Sequence, residues 1–467
     1  MMQKSCFFDN SSNVAIANSH LSISVNQSMD PSAALRFLYE AMAKYAGSGH
    51  QDPSTCLEGT RTTALEEIHE WKRKSRQDQG SKLMWLTGSA GSGKTAIAQT
   101  VCERCRKEGL FVVDCSFFRS TNRTNPKYLF LTIAYQLAVA NALLRASIEA
   151  AAQTNPAVVD AALDVQLKRL ILDPITKAGS QLPTVFVILD GLDECNAEPQ
   201  QIQIIHLIQT VIQDEAFPIR FLIASRPEIW IRNAFSSAFL PPMSTVTLNR
   251  DVETNDDIRF FYETEFSKIR EHPEHNHLFV STPTPWPSAA KLDELVDRAS
   301  SQFICAKTVV RFVGELGHSP IRRLDVVLHP LSESPKSRSP LDQLDALYYY
   351  TLSCVADWDL TSVVLGTLSV FKGDHMQREV LSVIEVIHGL NPGSAYLALR
   401  HLHPLVSVPF DITSERDRCT NEEYRVMLNG QSQYPRFYHK SFIDFLHNSR
   451  RAGKIFIDEE MYWIRKV

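Results

Sequence analysis

The sequence contains no run of about 18 apolar residues, so nothing in it reads as a membrane-spanning helix. Its first residues, MMQKSCFFDNSSNVAIANSH, carry no continuous apolar segment after Lys4, which argues against a cleaved secretory signal. The nine cysteines are odd in number and scattered, unlike the dense even framework of a secreted scaffold, and a reducing, cytoplasmic compartment is expected. Charge of one sign is also lacking: a net charge of −5 gives no global attraction to nucleic acid or to an anionic membrane. Cys102 and Cys105 form C-E-R-C, but no second pair stands at zinc-ligand spacing. His272, His275 and His277 fall in a Pro- and Glu-rich stretch that reads as a solvated loop. No Ser/His/Asp or Cys/His arrangement marks a nucleophilic site, and no internal repeat recurs at a period of about 20–50 residues.

What is present is an ordinary globular composition, 44% hydrophobic and 22% charged, over 467 residues. That length predicts two or three domains. Residues 1–32 read as a disordered tail and 33–59 as a helical lead-in, with LRFLYEAMAKY at helical spacing. From Lys82 short apolar runs alternate with amphipathic ones: LMWLTG, AIAQTVCERCRKEG, LFVVDCSFF, PKYLFLTIAYQLAVANALL, then TVFVILDG and IRFLIASRP. This alternation predicts a parallel sheet with helices on both faces over residues 60–244. Strand signals fade after Pro242, and a helical domain is expected over 245–328. The proline-rich HPLSESPKSRSP makes 329–340 a linker, and 341–467 mixes helical LDQLDALYYYTLSCV with β-like LVSVPF and RFYHKSFIDFL. The last mixture fits a winged-helix-like domain.

The chemistry is concentrated in GSAGSGKT, residues Gly88, Ser89, Ala90, Gly91, Ser92, Gly93, Lys94 and Thr95. It fits G-x-x-x-x-G-K-[ST], lying between a strand-like and a helix-like run. Backbone N–H groups of such a loop converge on phosphate, Lys94 adds a point charge, and the Thr95 hydroxyl can hold Mg²⁺. The strand VFVIL delivers Asp190 to its C-terminal end as the second metal ligand, and Asp193 and Glu194 follow within one turn as carboxylates able to orient water. FLIASRP ends another buried strand at Arg226, a candidate γ-phosphate sensor.

Together the phosphate loop, the Asp190-Gly191-Leu192-Asp193-Glu194 strand end and Ser225-Arg226-Pro227 resemble the fungal NACHT proteins described as nephrocystin-3-like, which are signal-transduction NTPases of the STAND type. CLEGTRTTALEEIHEW (56–71) is similar to the segment leading into that core, and the resemblance implies that Thr60 and Arg61 approach the base. RFYHKSFIDFL is similar to the winged-helix segment whose histidine, here His439, contacts the β-phosphate. Two departures stand out. The stretch SQFICAKTVV (301–310) lacks the proline with which related switches touch adenine, so ATP is the default and GTP stays open. The effector and repeat domains usual in the family are also not expected in this chain.

The function expected from these features is a nucleotide-controlled switch that binds ATP or GTP with Mg²⁺, hydrolyses it slowly, and is closed by the winged-helix domain in the diphosphate state. Self-association or a protein partner is expected in the triphosphate state, with no nucleic acid and no membrane involved. Fungal defence, self/non-self recognition and cell-death control are what the resemblance implies. An AAA-like remodelling motor and a nucleotide-locked scaffold without turnover are the alternatives.

Overall fold

The computed structural model describes residues 35–36, 38–40, 55–74, 80–117, 124–179, 182–214, 217–236, 243–248, 252–328, 342–353, 355–370, 380–402, 404–407, 435–458 and 461. The expected tail and linker lie outside them, as do residues 408–410 of LVSVPF. The core begins with helix α1 (Thr62–Arg73) and alternates β1 (Leu83–Gly88), α2 (Lys94–Lys107), β2 (Phe111–Ser116), α3 (Leu129–Ala140), α4 (Ala142–Thr154), β3 (Val185–Asp190), α5 (Glu198–Gln213), β4 (Ile219–Ser225), α6 (Ile229–Phe235) and β5 (Met243–Leu248). The strands form one five-stranded parallel sheet in the order β2-β3-β4-β1-β5. Their near-continuous apolar runs follow from burial on both faces. Leu83, Trp85, Val187, Leu189, Phe221 and Ile223 point into the cluster under α3 to α6, while their neighbours Met84, Leu86, Phe186, Ile188, Leu222 and Ala224 point into the cluster under α1 and α2.

Two local differences from the sequence reading have physical causes. The core does not stop at 244, because Met243–Leu248 forms β5 against β1. As an edge strand it keeps only Val246 and Leu248 fully buried, so MSTVTL carries a weak hydrophobic signal. The long helical run from Pro126 breaks at Asn141, whose side chain accepts from the Leu143 and Leu144 backbone N–H groups and so caps a second helix.

Helices α7 (Val252–Glu271), α8 (Ala289–Ala299), α9 (Phe303–Val313) and α10 (Pro320–Leu328) form a helical domain around Tyr262, Phe266, Leu295, Val309 and Leu324. The third unit packs α11 (Asp342–Ser353), α12 (Trp358–Val370), α13 (Val380–His388), α14 (Ser394–Leu399), α15 (Lys440–Leu446) and α16 (Ser449–Ala452) beside the two-stranded antiparallel β6 (Val406–Ser407) and β7 (Arg436–Phe437). Its core gathers Tyr348, Leu365, Leu399, Phe442, Phe445 and Leu446, and Ile304 of α9 joins it from the helical domain. No helix among the described residues is long and apolar enough to cross a membrane. The expected solvated histidine loop is only partly so: His272 and His277 are exposed, but His275 is buried.

Candidate functional site

The phosphate loop leaves the C-terminal end of β1 and turns into α2, whose first residue is Lys94. Because β4 lies between β1 and β3, the loop, Arg226 and Asp190 emerge side by side along one edge of the sheet. Gly91 adopts φ +72°, and a Cβ there would lie 2.1 Å from Ile304 Cγ2 of α9. Its carbonyl also accepts the Ile304 N–H at 3.2 Å, so the helical domain rests directly on the loop. Ser89 and Thr95 are exposed at this edge, Ser92 is buried, and Ala90 and Gly93 are half-buried.

Lys94 Nζ donates to the carbonyls of Gly88 and Ser89, both at 2.9 Å. Burial pushes its pKa down to about 8, reinforced by Arg226 and opposed by Asp193, Asp190 and Glu194. One ammonium thus feels every charged group that the sequence assigns to the site's core side. Asp190 is 5% exposed, and burial raises its pKa to about 7, against the Thr95 hydroxyl bond and the charge of Lys94. A buried carboxylate with so little compensating charge, joined to a hydroxyl, is a hard oxygen donor set that fits Mg²⁺, which takes few protein ligands. Among the described residues no cluster of three or more His, Cys, Asp or Glu side chains is arranged to hold a metal by itself.

The carboxylates after β3 divide the work. Gly191 at φ +75° turns the chain, and a Cβ there would strike the Phe117 carbonyl at 2.5 Å. Asp193, buried by that turn, accepts from the Arg226 backbone N–H at 3.0 Å and pairs with Arg226 Nε at 3.2 Å. Its carboxylate therefore positions the arginine. Glu194 is only half-buried and is the carboxylate of the pair with more access to solvent. Arg226 also faces Asp444 of α15, with Nη2 3.7 Å from its carboxylate.

On the other side of the loop stands Arg61, 7% exposed and itself at φ +57°. Its guanidinium donates to the Ser92 carbonyl and the Thr254 hydroxyl, both at 2.8 Å, and lies over the Phe303 ring. Its backbone N–H donates to Asp257 at 2.9 Å. Arg61 is thus engaged as a bracket between loop and helical domain, and Thr60 bonds locally to the Leu57 carbonyl. His439 occupies the strand-to-helix corner expected from the spacing, between β7 and α15. Its Nδ1 accepts from the Ser441 N–H at 3.0 Å, which caps α15. Asp257, Asp444 and Gln302, the N-cap residue of α9, were not legible as site residues. Gln302 is 3% exposed and its Oε1 is buried without a hydrogen-bond partner. Asp257 reaches Arg61, Gln302 lies beside Gly91 of the loop and Asp444 faces Arg226, each from a remote segment that no local pattern announces.

Residues 59–226 match the family described as Nephrocystin 3, N-terminal. The matched segment covers the phosphate loop, Asp190, Asp193, Glu194 and Arg226, and ends where β4 delivers the arginine. No curated protein matches the chain. Among solved structures, a Walker-type ATPase of Pyrococcus abyssi aligns at 12% identity and TM-score 0.39, covering 76% of this chain and 92% of that one. The ORC2 protein of Aeropyrum pernix, solved with ADPNP and ADP, aligns at 14% identity and TM-score 0.36 over 75% and 87% of the two chains. The ORC1 protein of the same organism, in complex with DNA, aligns at 12% identity and TM-score 0.35 over 87% and 94%.

Proposed function

We propose that the chain is a nucleotide-controlled switch whose nephrocystin 3-type domain binds a nucleoside triphosphate, ATP by default, and hydrolyses it slowly. The observation that carries this reading is that three units converge on one phosphate loop: Lys94 and Asp190 from the core, Ile304 from the helical domain, and Asp444 from the third unit through Arg226. In this reading loop N–H groups and Lys94 hold the phosphates, displacing the ammonium from the Gly88 and Ser89 carbonyls. Thr95 and Asp190 would hold Mg²⁺, which when bound supplies charge neutralisation at the phosphates. Glu194 orients or deprotonates the attacking water, and Asp193 fixes Arg226 toward the γ-phosphate. His439, whose Nδ1 accepts from the Ser441 N–H, would contact a β-phosphate through its ring.

The third unit, read as winged-helix-like, closes the diphosphate state, and the triphosphate state associates with copies of itself or with a protein partner. A signalling role such as defence or cell-death control is the setting this reading favours. The test is to identify the nucleotide that co-purifies and to count turnovers in the same sample. A tightly held diphosphate with slow turnover supports the switch. Fast multiple turnover favours a motor, and triphosphate retained unchanged favours a scaffold.

A further inference from the structure

Among the described residues the third unit meets the rest of the chain through contacts of two different chemistries. Against α9 the contact is apolar and aromatic: Ile304 enters the third unit's core, Phe312 packs edge-on against Tyr350, and Arg311 lies over the Tyr438 ring. Such contacts depend little on salt or on what occupies the phosphate loop. Against the core the contact is ionic, between Arg226 Nη2 and Asp444 at 3.7 Å. The same guanidinium is fastened at its other end to Asp193, through Nε at 3.2 Å and the backbone N–H at 3.0 Å. Arg226 is also close enough to Lys94 to lower its pKa, so the cation that meets Asp444 stands at the phosphate site.

The geometry points to Asp444 as a positioning residue that competes with the γ-phosphate for Arg226, so that triphosphate binding and release of the third unit are one event. This rests on the switch reading above and names its trigger. Asp193 keeps the guanidinium anchored in both states, and the Nη2 edge is the part exchanged. With a diphosphate bound, that edge keeps Asp444. A γ-phosphate, carrying more charge than one carboxylate and held by the loop beside Lys94, takes the edge and repels the Asp444 carboxylate. The α9 contact remains as the pivot, because nothing in it changes charge.

The test uses the full chain and the release of a fluorescent diphosphate, mant-ADP, in stopped flow. Asp444 is about a third exposed, so its replacement leaves the packed core intact. Asp444→Asn is expected to speed release about two- to fivefold at low salt, the range for a partly exposed ion pair, and Asp444→Lys roughly tenfold, while Asp444→Glu stays near wild type. Raising salt from about 0.02 M to about 0.3 M should speed release from wild type and leave Asp444→Asn nearly unaffected. Wild-type release rates and salt dependence in both Asp444→Asn and Asp444→Lys would overturn the assignment. Unimpaired mant-ADP binding by Lys94→Ala would instead overturn the switch reading on which it rests.

Discussion

The core and the third unit place the side chains of the candidate site by opposite means. In the core, Asp190 and Arg226 sit at the ends of fully buried parallel strands whose registers are fixed by neighbours on both sides. In the third unit, His439 and Asp444 ride on a corner between a two-residue strand and a seven-residue helix, held by the Tyr348–Ser441 hydrogen bond and the tilted packing of the Tyr348 ring against Phe442 and Phe445. The first arrangement suits groups that must not move during chemistry. The second suits groups that must arrive and leave as a unit, and the contrast separates variants that alter turnover from variants that alter closure.

The largest effect is expected inside the core. Glu194→Gln should slow hydrolysis by about 10²- to 10⁴-fold while nucleotide binding changes only a few-fold, measured by single-turnover phosphate release beside equilibrium binding. Asp193→Asn should also slow hydrolysis, and through Arg226 it should weaken the distinction between triphosphate and diphosphate. Equal losses in binding and turnover would erase the proposed division between the two carboxylates. Arg61→Ala removes the guanidinium bonds to the Ser92 carbonyl and the Thr254 hydroxyl while the backbone bond to Asp257 stays, which should cost about 1–3 kcal/mol of stability in thermal or denaturant unfolding. Lys94→Ala should weaken nucleotide binding by about a hundredfold or more, read by fluorescent-nucleotide titration, with little loss of stability because the bonds Lys94 makes among the described residues go to loop carbonyls. The smallest effect belongs to the corner: His439→Ala removes the α15 cap, about 0.5–2 kcal/mol, binds triphosphate nearly normally and loses diphosphate a few-fold faster. If it instead abolished triphosphate binding, the corner would belong to the rigid half of the comparison.

Most of the core was legible because its signals are local and redundant. A strand-like run, a glycine-rich turn and a helix-like run are contiguous from Leu83 to Lys107, and Val185–Asp190 repeats the logic with an acid at the strand end. The edge strand β5 was missed because half of MSTVTL faces away from apolar partners. Arg61 shows the limit of position-by-position reading. Its chain position beside the core was clear, but its buried partners Thr254 and Asp257 lie more than 190 residues away. The same holds for Asp444, an unremarkable acid within KSFIDFL until β4 brings Arg226 to it. Secondary structure and phosphate chemistry follow local patterns, whereas the contacts between units follow from packing that no local pattern encodes.

The central claim is that the bound nucleotide decides whether the third unit rests on the core. Small-angle X-ray scattering of the full chain, with diphosphate and Mg²⁺ in one sample and a non-hydrolysable triphosphate and Mg²⁺ in another, tests it most directly. The account predicts a compact particle with diphosphate and a larger radius of gyration or a larger assembly with triphosphate. Superimposable profiles from two samples shown to be saturated with nucleotide would contradict it.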